Sequence, residues 1–222
     1  MTVGMKTTLR VFGIVVAAAL VLAVVQNRAP ADGVLTTSDG DTVDVTDSAR
    51  AAGLRYAAGV APAQREWIDA AIARARPEAA RLIAEIDGLV VIGTYAETGE
   101  TLGITRGSEK GFTVDFNTAR LDADRAMDRA TVVLHELGHV IDFALVPKAV
   151  NAQLDQQIPR GGACGLAIDC DRVEERFADT FAKWALNGAV AEIGAGYGVA
   201  MPSSIEDWGA PLARLAFQLP PS

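Results

Sequence analysis

The sequence predicts an α+β domain, mostly helical, with a small antiparallel sheet ahead of the helix that carries its histidines. Two observations predict it. Apolar residues recur at helical spacing over 61–88, 121–146 and 171–188. Between the first two of these stretches, residues 89–117 change period and become short β-branched and aromatic runs separated by glycine. At 222 residues, 50 % of them apolar, the chain supports one domain with a sizeable core. A net charge of −8 argues against nucleic acid as a partner, because phosphate binding needs a basic face.

The elements follow in order. Lys6 and Arg10 precede the apolar run "VFGIVVAAALVLAVV". Together with Leu9 it approaches the shortest membrane spans, about 17 residues. Positive residues ahead of such a run hold the N-terminus in the cytoplasm. Residues 1–26 are therefore expected to be a signal anchor or a signal peptide. Ala29 and Ala31 offer a small-residue cleavage site, weakened by Pro30 between them. Either way the remainder lies outside the cytoplasm, held at the cell membrane or secreted. In that oxidising setting Cys164 and Cys170 are expected to form a disulfide. Free thiols, or one thiolate as a metal ligand, are the alternatives.

Residues 27–60 are rich in Asp, Thr, Ser and Gly and read as a linker or stalk. The folded domain is expected over 61–222. Its first helix carries Trp67, Ala71, Ile72, Leu82, Ile83 and Ile86, with Pro77 able to split it and Gly88 suited to its stop. "LVVIGTY", "ETLGITRG" and "GFTVDFN" are the three strands. Helix resumes over 121–146, in one piece or two, with Asp122 or Asp124 near its start and Pro147 at its end. Residues 148–170 read as a loop. A strong helix spans 171–188, with Asp171 as cap and Gly188 past its last turn. "SIEDWGAPLARLAFQL" closes the chain as a short helix.

The chain has two histidines, and "LHELGH" places them four apart, at His135 and His139, with Glu136 between. On a helix, positions i and i+4 share a face one turn apart. Both imidazoles can then meet one zinc ion, while Glu136 leans toward the same point as a base for a metal-bound water. Val132, Val133, Leu137, Val140 and Ile141 give this helix an apolar surround. A buried histidine pair without a ligand would be costly to desolvate.

A catalytic zinc site needs three protein ligands and an open position. With no third histidine, the remaining ligand has to be Asp, Glu, Cys or Tyr. "VEERFADTF" offers Glu175 and Asp179, one turn apart among Phe177, Ala178, Phe181 and Ala182. Glu175 is the expected ligand. Asp179 is expected to orient a ligand histidine through its second ring nitrogen. Glu174 reads as a solvated charge.

"HELGHVID" followed by "ERFADTF" resembles the gluzincin metallopeptidases, the thermolysin-like HExxH enzymes, and is similar to their compact, lethal-factor-like members. The resemblance covers about residues 131–187. It implies a zincin-like domain with His135, His139 and Glu175 as zinc ligands, Glu136 as general base and Asp179 behind the ligands. Asp142, three residues past His139, is then a supporting or packing residue. The family also implies a small sheet before the HExxH helix, whose edge strand lines the cleft. The chain departs from the family in one respect: no tyrosine lies between His139 and Glu175 to stabilise an oxyanion. Tyr197, in "GAGYGV", is the expected substitute, with Tyr95 or an arginine as weaker options.

The expected function is that of an extracytoplasmic zinc peptidase acting on a peptide or protein substrate, with the membrane as a partner through the N-terminal segment. The alternative is a cell-surface interaction domain that binds metal without turnover.

Overall fold

The computed structural model describes residues 54–108, 110–123, 128–160, 172–189 and 198–219, together with two short strands at 34–36 and 42–44. The N-terminal apolar run, the Cys164–Cys170 pair, Asp124, Asp171 and Tyr197 lie outside the described residues. Among the described residues no helix is long and apolar enough to cross a membrane.

The architecture is α+β, with seven helices and a four-stranded sheet among the described residues. Within the stretch expected as a stalk, β1 (Val34–Thr36) pairs antiparallel with β2 (Thr42–Asp44). Their β-branched residues suit an extended chain. The main fold begins ahead of Ala61. Strand β3 (Arg55–Tyr56) joins the sheet beside β4 (Val90–Tyr95), and Val60 is buried.

Helices α1 (Pro62–Ala73) and α2 (Pro77–Glu85) connect β3 to β4. Pro77 does split the helical stretch. It occupies the first turn of α2, where its missing amide costs nothing, and Arg76 ahead of it donates its amide to the Ala185 carbonyl oxygen at 2.8 Å. Gly88 follows α2 in the left-handed region, φ 81°.

The sheet is mixed, which corrects the expectation of an antiparallel one. Its order is β3-β4-β6-β5, with β5 over Gly103–Ser108 and β6 over Gly111–Asn117. The β3–β4 and β4–β6 pairs are parallel, and β5–β6 is antiparallel. The physical reason lies in the connections. The helical crossover through α1 and α2 returns the chain to run parallel with β3. After β4, the chain reverses into β5 and reverses again into β6, which inserts between them. Two reversals leave β6 parallel to β4, and β5 becomes an edge.

One face of this sheet carries Val90, Ile92, Val114 and Phe116, all fully buried. Behind the short α3 (Thr118–Leu121), the helix α4 (Arg129–Ala144) packs on that face. Asp128 caps α4: its carboxylate accepts from the Ala130 amide at 3.1 Å and the Thr131 hydroxyl at 3.0 Å. Every residue from Ala130 to Asp142 is buried. A helix enclosed on all sides is a central one.

The 148–170 stretch is not all loop. Residues Lys148–Gln157 form α5, with Pro147 at the N-cap position. Val150, Leu154 and Ile158 repeat every four residues, and Leu154 and Ile158 are buried. Helix α6 (Val173–Ala185) lies against α4, with Arg172 at its N-cap. Asn187 and Gly188 follow it at φ 54° and 75°. Helix α7 (Ile205–Gln218) closes the fold, and the Ser204 hydroxyl accepts from the Asp207 amide at 3.1 Å.

Candidate metal centre

Helix α4 is buried on every side, so its two imidazoles are held deep in the fold. His135 is 3 % exposed and His139 is 7 % exposed. Their rings stand edge to face, with centroids 4.8 Å apart. The spacing seen in the sequence therefore does place both rings over one point.

Helix α6 delivers the third group. Glu175 Oε2 lies 3.3 Å from His135 Nε2 and 3.5 Å from His139 Nε2. The three ligand atoms lie within 4.8 Å of one another. Glu175 Oε2 is buried, and no hydrogen bond reaches it among the described residues. Burial on its own pushes the Glu175 carboxyl up, but the two imidazoles beside it hold it well below the usual carboxylate range. Burial would lower His139, yet the carboxylates of Glu175, Glu136 and Asp142 turn its shift upward. Two imidazoles and a carboxylate converge in a buried place, and such a set can hold a metal ion.

A close approach of the two helices makes this possible. A Cβ on Gly138 would sit 3.1 Å from both the Ala178 Cα and the Phe181 ring. The glycine within "HELGH" is what lets α6 come near enough for Glu175 to meet the histidines. Arg176, 1 % exposed, then ties α6 to α5. It donates to the Asp155 carboxylate at 2.8 Å, and to the carbonyl oxygens of Ile158 at 2.6 Å, Pro159 at 3.1 Å and Asp155 at 3.3 Å.

Glu136 is 3 % exposed and faces strand β5. The Thr105 hydroxyl lies 2.7 Å from Glu136 Oε2 and 3.1 Å from the Glu136 carbonyl oxygen. Gly103 lies against the same side chain. The sequence reading named neither residue. The only signal was a glycine two positions before a threonine in a strand.

The other residues singled out in the sequence have partners of their own. Asp179 is fully buried, and its Oδ2 accepts from Lys183 Nζ at 2.5 Å. Lys183 also donates to the Val199 carbonyl oxygen at 2.5 Å, which ties the segment before α7 to the glutamate helix. Asp142 is not in the convergent set. Its Oδ1 accepts from Asn151 Nδ2 at 2.5 Å. Burial pushes Asp142 up to about 6, against the lowering effect of Asn151 and His139. Glu174 takes an ion pair with Arg172 and is not in the convergent set. The Tyr95 hydroxyl donates to the Thr101 carbonyl oxygen at 3.3 Å, and burial, helped by the charges of Glu97 and Glu136, pushes it up to about 12.

Comparison of the chain with protein-family models, with curated proteins and with solved structures finds no match. The site's own chemistry therefore carries the functional argument.

Proposed function

We propose that the chain is an extracytoplasmic zinc-dependent peptidase, with His135, His139 and Glu175 as ligands and Glu136 as general base. One observation carries the reading. Ligands at about 2.0–2.1 Å from a tetrahedral zinc are about 3.4 Å from one another. The two contacts of Glu175 Oε2, at 3.3 and 3.5 Å, are close to that edge length, and the whole set spans no more than 4.8 Å. Two imidazoles and one carboxylate on two helices are also the ligand set of the gluzincins that the motifs resemble.

Zinc held by His135, His139 and Glu175 would act as a Lewis acid and would make water a nucleophile near neutral pH. The rest falls to the chain's own residues. Glu136 takes the proton of the attacking water and returns it to the leaving amine. Its position next to His135, buried and held from β5, supports that role. Asp179, one turn beyond Glu175, orients a ligand histidine, and Lys183 balances its charge. Tyr197 is the proposed oxyanion donor, on the sequence argument alone. The apolar run behind Lys6 and Arg10 supports an extracytoplasmic location, membrane-anchored or secreted.

The test uses the purified full chain, assayed for bound zinc and for cleavage of a quenched peptide library. Glu136→Gln is expected to keep its zinc and lose about 10²–10⁴-fold in turnover, the usual contribution of a general base. Glu175→Ala is expected to lose zinc, and Glu174→Ala to keep it. Full turnover in Glu136→Gln refutes the mechanism. A wild-type chain that binds zinc tightly and cleaves nothing assigns the site to an interaction domain instead.

A further inference from the structure

We propose that Thr105 is a positioning residue for Glu136, and that Gly103 makes the space in which the carboxylate is held. The inference rests on the peptidase reading above, because it concerns how the proposed base is aimed.

The strand register sets up the arrangement. Gly103 pairs with Phe116 and Thr105 with Val114. Residues directly opposite in a ladder share a face, so Gly103 and Thr105 lie on the face that packs against α4. Val114 and Phe116 serve that face as core. β5 is the sheet's edge, so its two residues extend the same face past the core to Glu136. A hydrophobic strand would put Val or Ile at position 105. Threonine keeps the β-branched shape and adds a hydroxyl.

The hydroxyl has one proton and two acceptors in reach. The carboxylate Oε2 at 2.7 Å is closer and charged, and the carbonyl oxygen is at 3.1 Å. The proton goes to the carboxylate, where a charge-assisted bond is the stronger one. The other oxygen faces Gly103. A Cβ there would sit 2.6 Å from Glu136 Cγ, 2.7 Å from Oε1 and 2.8 Å from Cδ. Any larger residue would displace the carboxylate. A glutamate side chain has three rotatable bonds, and a base has to be held within about 0.5 Å of its working place. Glycine supplies the room and threonine the direction.

Thr105→Val is nearly isosteric, keeps the strand shape and removes only the donor. Thr105→Ser keeps the donor and loses a methyl group. In the full chain, Thr105→Val is expected to retain zinc and a KM within about twofold of wild type while kcat falls about 10–100-fold, the scale of a misaimed catalytic group. Thr105→Ser is expected to recover kcat to within about threefold. Gly103→Ala is expected to lower kcat with zinc retained. In a Glu136→Gln background, Thr105→Val is expected to cost nothing further, because the two residues act as one unit. An unchanged kcat in Thr105→Val, or the same loss with Glu136 already replaced, overturns the proposal. A second readout does not depend on turnover. A crystal structure of Thr105→Val is expected to show the Glu136 carboxylate moved from its place, and an unmoved carboxylate overturns the proposal as well. Loss of the peptidase reading itself is a separate result: full turnover in Glu136→Gln with Thr105 intact.

Discussion

Gly138→Ala tests the contact on which the three-ligand site depends. The new methyl carbon would stand 3.1 Å from the Ala178 Cα and 3.1 Å from the Phe181 ring, where ordinary contact begins at 3.4 Å. One of those neighbours is backbone, so relief has to come from a shift of α6 by a few tenths of an ångström. Two effects on stability oppose each other. Alanine in mid-helix is better than glycine by about 1 kcal/mol. Overpacking costs about 1–3 kcal/mol. The apo protein is therefore expected to lose about 0–2 kcal/mol, read from urea unfolding. Metal binding at the candidate site is expected to suffer more than the fold. Glu175 lies one turn before Ala178 and moves with it. Its oxygen starts at 3.3 and 3.5 Å from the two imidazole nitrogens. A shift of a few tenths of an ångström exceeds the tolerance of about 0.2 Å within which a ligand has to stand from its metal. Zinc affinity, measured by competition with a chromophoric chelator, is expected to fall about tenfold or more, which is about 1.4 kcal/mol. A variant that gains about 1 kcal/mol of stability and binds zinc within twofold of wild type refutes the reasoning, since helix propensity would then be the whole effect.

Three further outcomes are expected. Asp142 is pushed up to about 6 from 3.8, so between those values the folded state holds a proton that the unfolded state has lost. The native state then binds more protons, and stability falls as pH rises through that window, by up to about 3 kcal/mol from this group. Urea titrations of the metal-free chain from pH 4 to 7 are expected to show this slope in wild type and a shallower one in Asp142→Asn; equal slopes refute it. Arg176→Ala strands the Asp155 carboxylate and three carbonyl oxygens. The expected destabilisation is about 3–5 kcal/mol, less whatever Arg160 recovers by its own ion pair with Asp155. A loss under about 1 kcal/mol would count against that buried network. Tyr197→Phe is expected to lower kcat about 10²-fold with zinc content intact, and an unchanged kcat removes it as the oxyanion donor.

What the sequence disclosed follows the range of the interactions. His135 and His139 were legible as a pair because one turn of helix joins them, and Glu175 because its helix repeats the same short spacing. Pro77 announced its own break. Helix α5 was hidden although Val150, Leu154 and Ile158 repeat every four residues, because polar residues fill the spaces and a glycine-rich run follows. The mixed sheet could not be read at all. Alternation along a strand tells which face is buried, and nothing in it names the neighbouring strand. Thr105 escaped for the same reason. A threonine in a strand is ordinary, and its bond to Glu136 spans 31 residues of chain.

The site divides along that same line. Its local half, the two histidines with the glutamate between them, is built by one capped and buried helix. Its tertiary half is the arrival of Glu175, which needs Gly138 for the approach of α6 and Arg176 for its anchorage. The two halves should therefore fail differently. On the proposed peptidase reading, changes at Glu136, Thr105 or Gly103 are expected to leave the ligands in place and act on the proton transfer, so that metal stays while turnover falls. Changes at Gly138 or Arg176 are expected to leave the local motif whole and displace the carboxylate from it, so that metal is lost first. Zinc content and turnover, measured on the same variants, separate a site with these two supports from a motif whose function depends on "HELGH" alone.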